Sequence, residues 1–378
     1  MTQSKPLAQG MSIKSRDQYS KEDALIYGIL KQFETYGYDV IEPPSIEYYD
    51  VMAASGALAQ QTMIKFIDPF GDIMVLQADP TISLTHYMSK QSTSSLRKFA
   101  MVSSIHKAYT MHSKRHEHTK QIGIEVFYDQ GLYDLEVLEL ALKALTYAQV
   151  SDVVVELGHV GFIPTLLQSL SIAESLVPSL NEAIKLKDLP AIQSLVSTYP
   201  QKSQDILKDV ITWFGSVDEV QSKMKKFNLN QDLIEMVNEL ETLIKAISSD
   251  DSSMNIIVDC STLKTQTYYS GLTMTVYSDE TPEPILSGGR YDHIIEQTGQ
   301  RMSAIGFGIN VSTLASISSI QPPKLTNIAL IADSSNPKLA FDYAKSLRTS
   351  TKCVHVIFDN NADLSMMDEI ISLKENNV

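Results

Sequence analysis

Two glycine-containing segments near residue 300 place the strongest constraint on how this chain can fold. Ser287–Asp292 carries adjacent glycines at Gly288 and Gly289, and Ala304–Ile309 follows shortly after it. Because glycine has no Cβ, glycines in an extended run let a neighbouring strand or a ligand approach the bare backbone. Just upstream, Tyr268–Gly271 offers two tyrosine rings with hydroxyl groups that suit a small polar molecule. The segments predict a sheet that holds a ligand.

Composition narrows the protein class. The 378 residues suffice for two or three domains, and 43% hydrophobic with 20% charged residues is ordinary for a globular protein. There is no run of eighteen apolar residues, and the polar N-terminus does not resemble a secretory signal, so neither a membrane span nor secretion is expected. Cys260 and Cys353 are isolated thiols without metal-type spacing, which favours a cytoplasmic location. The net charge of −14 argues against a nucleic-acid partner.

The first part of the chain is typical of an antiparallel α+β sheet. Ser20–Asp23 predicts a helix cap, with the helix ending at Gly37, and Asp68–Asp72 predicts a hairpin turn. Strands joined mostly by turns, with helices beside them, favour this class over a doubly wound sheet. The other predicted elements are strands Tyr38–Glu42, Met63–Ile67, Ile73–Gln77, Phe99–Ile105, Ile122–Tyr128 and Val153–Leu157 and the helix Leu135–Ala148.

The chain changes character after residue 161. Leucines recur at helical spacing from Phe162 to Ile247, and glycine nearly disappears, which predicts a helical insertion. After Pro322-Pro323, alternating strand and helix patterns predict a short α/β module, including a helix over Asp363–Leu373. The expected domains are a core in two parts, 1–161 and 251–321, an insertion at 162–250 and the module at 326–378.

Two polar groups of residues are candidate binding sites. Asp79 can accept hydrogen bonds from an ammonium group, and Thr81 can cap the following helix and face the same space, although a plain helix cap fits both equally well. Gln121, Gly123 and Glu125 alternate, so they share one face of a strand. Taken alone, this alternation favours a strand face that meets solvent. The nearby tyrosines favour a polar ligand instead, because burying glutamine and glutamate without partners is unfavourable.

Metal binding and covalent catalysis find little support. His106, His112, His116 and His118 are better explained by a solvated basic loop than by a zinc site, because no further ligand pattern accompanies them. Phosphate-loop, dinucleotide and Ser-His-Asp patterns are absent. The Gly306–Gly308 segment alone is more typical of close packing between a strand and a helix than of a phosphate cradle. We therefore expect no metal, no cofactor and no catalytic residues.

Taken together, the segments resemble the core of the class II histidyl-tRNA synthetases and their paralogue, the regulatory subunit of ATP phosphoribosyltransferase. Tyr268–Gly271 and Gly288–Asp292, in this order and spacing, are the most specific match. The other matching segments are Glu42–Glu47 to motif 1, Leu76–Thr81 to a Leu-Arg-Pro-Asp/Glu-x-Thr segment, Gln121–Phe127 to motif 2, Glu156–Gly161 to a Leu-Gly-His strand and Gly306–Leu314 to motif 3. The resemblance implies a class II synthetase-like antiparallel sheet with flanking helices.

The resemblance also implies roles for individual residues. The positions for the α-amino group of histidine are Asp79, Thr81 and Gln121, and those for its imidazole are Glu125 and Tyr269. The positions that wall the pocket are Tyr268, Gly288, Gly289 and Tyr291. These side chains supply the acceptors that an ammonium and an imidazole need.

Departures from the family pattern gather at the ATP-binding positions. The motif 2 arginine and the glutamate two residues after it are Lys107 and Tyr109, and the other two family arginines are Lys264 and Thr313. An Arg-Glu-Phe segment is replaced by Glu117–Thr119. Arginine holds phosphate with a two-pronged fork that lysine and threonine lack, so we expect adenylation to be lost.

The resemblance therefore implies a non-catalytic regulatory subunit of ATP phosphoribosyltransferase in the first step of histidine biosynthesis. It would activate a short-form catalytic subunit, form a homodimer through motif 1 within a hetero-oligomer, and respond to histidine as an effector. The short, acidic C-terminal module does not favour tRNA binding. The alternatives are a divergent histidyl-tRNA synthetase and a paralogue that binds histidine for another partner.

Overall fold

The fold consists of two compact units, residues 1–320 and 321–378. The structure is a computed structural model, and it describes residues 7, 11–54, 56, 62–91, 96–109, 115–247, 254–263, 268–297, 299, 302–322, 324–359 and 362–373. All structural statements below concern those residues.

The first unit is built on a nine-stranded sheet with the order β1-β5-β6-β12-β11-β10-β7-β9-β8. Most neighbours are antiparallel, and the parallel pairs are β1 with β5 and β7 with β9. This mainly antiparallel sheet confirms the predicted α+β class. The nine strands are β1 Asp39–Ile41, β5 Arg97–Tyr109, β6 Arg115–Tyr128, β7 Val153–His159, β8 Phe214–Gly215, β9 Asn255–Asp259, β10 Leu272–Ser278, β11 Leu286–Arg290 and β12 Ser303–Asn310.

Helices pack on one face of this sheet and bury its apolar side chains. Ile122, Ile124 and Val126 of β6 are completely buried there with Leu25 and Phe33 of the first helix. Their alternation with Gln121, Gly123 and Glu125 leaves the polar set on the opposite face. The helices of the core are α1 Arg16–Thr35, α2 Tyr49–Ala54, α3 Pro80–Ser89, α4 Asp134–Tyr147, α11 Asp292–Glu296 and α12 Val311–Ile317.

A small antiparallel sheet stands beside the large one. Its strands β2 (Ile46–Tyr48), β4 (Ile73–Leu76) and β3 (Lys65–Ile67) lie in that order. The Asp68 carboxylate accepts hydrogen bonds from the backbone N–H groups of Phe70 and Asp72 at 2.8 and 2.9 Å, which closes the β3–β4 turn. The predicted hairpin turn is therefore confirmed.

Between β7 and β9 the chain is mostly helical. Trp213 is fully buried in this segment, with an edge contact to Phe162. The domain boundaries proposed from the sequence stay a prediction. The helices of the segment are α5 Phe162–Ser169, α6 Val177–Lys185, α7 Leu189–Leu195, α8 Gln201–Asp209, α9 Val217–Met224 and α10 Gln231–Ile247, with short 3-10 helices at Glu174–Leu176 and Val210–Thr212.

The second unit is a parallel three-stranded sheet with one helix. β13 (Thr326–Ile331) lies between β14 (Lys352–Ile357) and β15 (Glu369–Ser372), and α13 (Pro337–Leu347) packs against them. The predicted helix over 363–373 is wrong. Its first part is turn, held by the Asp363 carboxylate that accepts from the Ser365 N–H, and the following isoleucines pair with β13 instead.

Two further sequence predictions fail at element ends. Helix α1 begins before Ser20, because Ser15 and Gln18 form a reciprocal capping box one turn earlier. Strands β5 and β6 extend past the predicted ends through His106 and His118, whose rings stack at 4.7 Å. His112 lies outside the described residues. Within the described ranges, no helix is both long and apolar enough to cross a bilayer.

Candidate functional site

The polar face of β6 lies against two glycines of β12. In the strand register Gly306 stands opposite Glu125, and Gly308 stands opposite Gly123. A Cβ on Gly306 would lie 1.8 Å from Glu125 Oε2, and one on Gly308 would lie 1.9 Å from Gln121 Nε2. These glycines therefore make room for the two polar side chains. The prediction that this segment reflects packing of a strand against a helix is wrong.

These side chains open into a cavity of about 150 Å³. Pockets for drug-sized ligands usually occupy about 300–1,000 Å³, so this cavity suits a molecule of amino-acid size. The residues that line it are Ala78, Asp79, Thr81, Lys107, Gln121, Glu125, Tyr268, Tyr269, Ser287, Gly288, Tyr291, Gly306, Phe307 and Gly308.

Glu125 lies at the centre of the cavity's hydrogen bonding. Its side chain is buried, and the hydroxyl groups of Thr81 and Tyr291 donate to its two oxygens, each at 2.6 Å. Burial raises the pKa of Glu125 to about 8, because desolvation outweighs the stabilising hydrogen bonds. The carboxyl group therefore holds a proton at neutral pH and can share it with a basic ligand atom.

Asp79 supplies a second carboxylate at the start of α3. Its Oδ1 accepts a hydrogen bond from the Thr81 N–H at 3.0 Å, and Tyr268 Oη donates to its Oδ2 at 3.4 Å. Burial raises the pKa of Asp79, and the nearby Lys107 ammonium and the hydrogen bonds from Thr81 and Tyr268 partly oppose this shift. Asp79 is thus both the helix cap and a lining group of the cavity, while Thr81 lies inside the helix.

Three tyrosine rings form much of the cavity wall. The ring centroids of Tyr268 and Tyr269 are 4.7 Å apart, and Tyr291 meets Tyr268 edge-on at 6.0 Å. Burial raises the pKa of all three phenols, which therefore stay protonated and can donate hydrogen bonds. This wall combines apolar ring faces with hydroxyl groups, of which those of Tyr268 and Tyr291 donate to the two carboxylates.

The structure brings together most of the residues predicted to bind histidine. Asp79, Thr81, Gln121, Glu125, Tyr268, Tyr269, Gly288 and Tyr291 all line the cavity. Gly289 does not. A Cβ at that position would lie 2.4 Å from Leu272 O and 3.0 Å from the Tyr269 ring, so Gly289 lets β10 and that ring approach closely. The roles of all nine predicted residues in binding histidine stay predictions.

Two of the four predicted former ATP positions, Lys107 and Thr313, have side chains that the structure describes. Lys107 lines the cavity, whereas Thr313 lines a separate depression of about 680 Å³. Tyr109 is the last residue of β5, with its side chain outside the described set, and Lys264 lies outside the described residues altogether.

The depression around Thr313 contains an internal ion pair. The Lys14 ammonium lies 2.6 Å from the buried Glu22 carboxylate and donates to Ser312 Oγ at 3.0 Å. Glu117 also lines this space. Further charged residues on its wall are Lys21, Glu280 and Glu283, so four carboxylates face two ammonium groups.

Several cavity residues were not identified from the sequence. Ser287 and Phe307 line the cavity, and Gly306 and Gly308 shape it, but their contribution depends on strand register. The alternating glycines of β12 were a detectable signal, since they match the alternating polar residues of β6. Among the described residues, no group of three or more histidine, cysteine, aspartate or glutamate side chains could hold a metal ion.

Comparison with known proteins gives a consistent result. A family model described as histidyl-tRNA synthetase matches residues 15–314. The ATP phosphoribosyltransferase regulatory subunit of Cupriavidus taiwanensis is 30% identical over 300 residues, which cover 78% of this chain and 76% of that protein.

Two solved structures share the fold. One, from Bacillus halodurans, is described as an ATP phosphoribosyltransferase regulatory subunit/histidyl-tRNA synthetase. It has a TM-score of 0.84 and 21% identity, and the match covers 98% of both chains. The other belongs to an ATP phosphoribosyl transferase complex from Thermotoga maritima. It has a TM-score of 0.61 and 18% identity, and the match covers 77% of this chain and 97% of that one.

Proposed function

This chain belongs to the histidyl-tRNA synthetase family and, within it, to the ATP phosphoribosyltransferase regulatory subunits, and from that premise we propose how it works. It binds a short-form catalytic subunit, supports the activity of that subunit in the first step of histidine biosynthesis, and senses histidine in the cavity around Glu125. Histidine bound there alters the activity of the complex, and the chain itself activates no amino acid.

The observation that carries this proposal is the pairing of two acidic groups in one small cavity. Glu125 and Asp79 both line it, and hydroxyl groups already orient them through hydrogen bonds. An imidazole nitrogen can share the proton of Glu125, while an ammonium group can donate to Asp79. Free histidine carries both groups on one small molecule.

The lack of catalysis is supported by the surroundings of Thr313. A triphosphate needs cationic clamps, but this depression has an excess of carboxylates, and Lys14 already pairs with Glu22. Lys107 offers a point charge where a two-pronged arginine would hold phosphate.

We also propose a homodimer that forms through the small β2-β4-β3 sheet and its hairpin. Large apolar side chains are exposed there, among them Ile67 at 73% and Ile73 at 51%. Neighbouring Ile46, Tyr48 and Phe66 extend this surface. Exposed apolar surface of this kind marks interaction sites. A dimer in light scattering that becomes a monomer in Ile67→Asp supports this assignment, whereas a monomeric wild type contradicts it.

Reconstitution tests the regulatory role. A short-form catalytic subunit is assayed for ATP phosphoribosyltransferase activity alone, with this chain, and with this chain plus histidine. We expect activity that depends on the chain and falls as histidine is added. Absence of both co-elution and any change in rate would favour a paralogue that serves another partner.

The rival enzyme is a divergent histidyl-tRNA synthetase. Its signature is histidine-dependent exchange of pyrophosphate into ATP by the purified chain. We expect no exchange above the level without histidine, and exchange at a rate typical of a synthetase would overturn the regulatory proposal.

A further inference from the structure

We infer that Gln77 is a positioning residue for the amino-acid site: its buried side-chain amide holds Asp79 in the orientation that binds the ammonium group of histidine. This inference rests on the proposed binding of histidine, in which Asp79 accepts that ammonium. Gln77 is not among the described residues that line the cavity. It therefore acts on the ligand through Asp79.

The side-chain amide of Gln77 makes three hydrogen bonds inside the protein. Its Oε1 accepts from the backbone N–H of Asp79 at 3.1 Å, and its Nε2 donates to Pro44 O and to Ser83 Oγ, both at 2.9 Å. Gln77 is only 1% exposed. Both N–H donors and one acceptor site of the amide are thus used away from bulk water, where losing a partner is unfavourable.

The main chain of Gln77 is anchored on two sides. Its N–H donates to Ser45 O at 2.9 Å, and its carbonyl oxygen accepts from the N–H of His106 at 2.8 Å. Ser45 directly precedes β2 of the small sheet, and His106 belongs to β5 of the large sheet. Because both sheets hold the residue, its side chain presents Oε1 to Asp79 from a fixed place.

Asp79 needs such support because it lies in the short connection between β4 and α3. Its backbone is extended, and its carboxylate accepts from the Thr81 N–H and the Tyr268 hydroxyl. Those two bonds orient the carboxylate, whereas the bond from the Asp79 N–H to Gln77 orients the backbone that carries it. Loss of that bond would let the connection rotate and move the carboxylate away from the ligand ammonium.

A glutamine suits this place better than an arginine does. The family segment that Leu76–Thr81 resembles has an arginine at the position of Gln77. A guanidinium group carries N–H donors only, so it cannot accept a hydrogen bond from the Asp79 N–H. The glutamine amide is also neutral, which leaves the negative charge of Asp79 available to the ammonium of the ligand.

A double-mutant cycle tests this role. Histidine is titrated into the wild type, Gln77→Met, Asp79→Asn and the double variant, by calorimetry where binding is tight and by chemical-shift changes where it is weak. Gln77→Met should weaken histidine binding by about three- to tenfold, the range for one neutral hydrogen bond. In the Asp79→Asn background the same change should have no effect, because the charge that Gln77 positions is gone.

A second variant and a control guard against loss of fold. Gln77→Asn keeps an amide but is one methylene shorter, so it cannot bond Asp79 and Pro44 together, and it should show the same selective loss. Gln221→Met is the matched control, because the Gln221 amide also bonds two side chains, but in the helical segment. It should leave histidine affinity unchanged. Unfolding curves show which variants keep the native fold.

The outcomes separate the two proposals. Equal affinity of the wild type and of folded Gln77 variants for histidine overturns the positioning role. Weakening by the same factor in the wild-type and Asp79→Asn backgrounds also overturns it, because Gln77 would then act on the cavity without acting through Asp79. Either result leaves the histidine cavity standing, whereas failure of the wild type to bind histidine refutes the proposed function itself.

Discussion

The cavity around Glu125 and the depression around Thr313 both border strands β6 and β12, yet they differ in how their polar groups are used. In the cavity, Glu125 and Asp79 accept hydrogen bonds from hydroxyl groups and still face open space. In the depression, Glu22 is satisfied by Lys14 and Ser312 of the same chain. The first region is ready for a ligand, and the second is partly filled by the protein's own side chains.

This difference suggests how a synthetase-like fold can become a sensor. The sheet needs an apolar face for stability and leaves its other face available for polar groups. A cavity that keeps its acceptors can still bind the amino acid, while loss of the cationic clamps removes the phosphate chemistry. Binding and catalysis can therefore be separated on one sheet.

Gly306→Ala should have the largest effect on this comparison. The new Cβ would lie 1.8 Å from Glu125 Oε2 and 2.3 Å from Ile124 O, so the strand or the carboxyl group must shift. We expect destabilisation by about 1–3 kcal/mol, as in overpacked cores, and loss of measurable histidine binding. Urea unfolding and calorimetry check both effects.

The matched control is Gly161→Ala in the helical segment. Its Cβ would lie 3.0 Å from the His159 ring, and neither residue lines the cavity, so the substitution should leave binding intact. Normal binding by Gly306→Ala would show that the cavity is not the histidine site.

The pH dependence of histidine binding should report the protonation of Glu125. With a pKa of about 8 for this group, the free protein holds the proton at pH 7 and shares it with the neutral imidazole. Above pH 8 the proton must be taken up on binding, so histidine affinity should fall by about tenfold per pH unit. Calorimetry at pH 7, 8 and 9 measures this.

Glu125→Gln separates this effect from titration of the ligand. In this variant, any change of histidine affinity with pH comes from the ligand, for example from its α-amino group. The difference between the pH profiles of the variant and the wild type therefore gives the contribution of Glu125. The stability of Glu125→Gln relative to the wild type should also rise with pH, because Glu125 loses its proton near its ordinary pKa of 4.5 in the unfolded wild type and near 8 in the native protein. The slope should be about 1.4 kcal/mol per pH unit within that window. A flat difference between the two proteins would contradict the raised pKa.

Glu22→Gln should act on the depression alone. It removes the charge of a buried carboxylate that pairs with the partly exposed Lys14, so we expect a loss of about 1–3 kcal/mol in the free energy of unfolding, with unchanged histidine affinity. Glu34→Gln is the control, because the Lys31–Glu34 pair is exposed and worth little. A change in the histidine affinity of Glu22→Gln would show that the depression influences the cavity, and would contradict their independence.

Thr313→Arg should have the smallest effect. It places an arginine at a position that the sequence predicts to be a former ATP clamp, but the carboxylates of Glu22 and Glu117 line the same depression. We expect no histidine-dependent exchange of pyrophosphate into ATP, as in the wild type. Appearance of exchange in this variant alone would show that one residue separates the sensor from an enzyme.

The sequence predicted the parts of the site that depend on local pattern. The alternation of Gln121, Gly123 and Glu125 places them on one face of a strand, whatever the partner strand is. It did not predict that Gly306 would stand opposite Glu125, because register between β6 and β12 depends on side chains far apart in the chain. Lys107 was separated from the cavity for the same reason.

The fold errors have a similar origin. Ser15 and Ser20 can both cap a helix. The helix begins after Ser15 because Gln18 completes a capping box with it. The isoleucines near residue 370 suit a helix or a strand, and pairing with β13 selected the strand. Local propensity leaves such short segments undecided until tertiary contacts form.

Titration of histidine into the wild type and Asp79→Asn tests the central claim most directly. Asparagine keeps the size of the side chain and an oxygen that can cap α3, but it removes the charge that we assign to the ligand ammonium. We predict one histidine per chain for the wild type and about ten- to a hundredfold weaker binding for the variant. Equal binding by both proteins, or no binding by the wild type, would contradict the account.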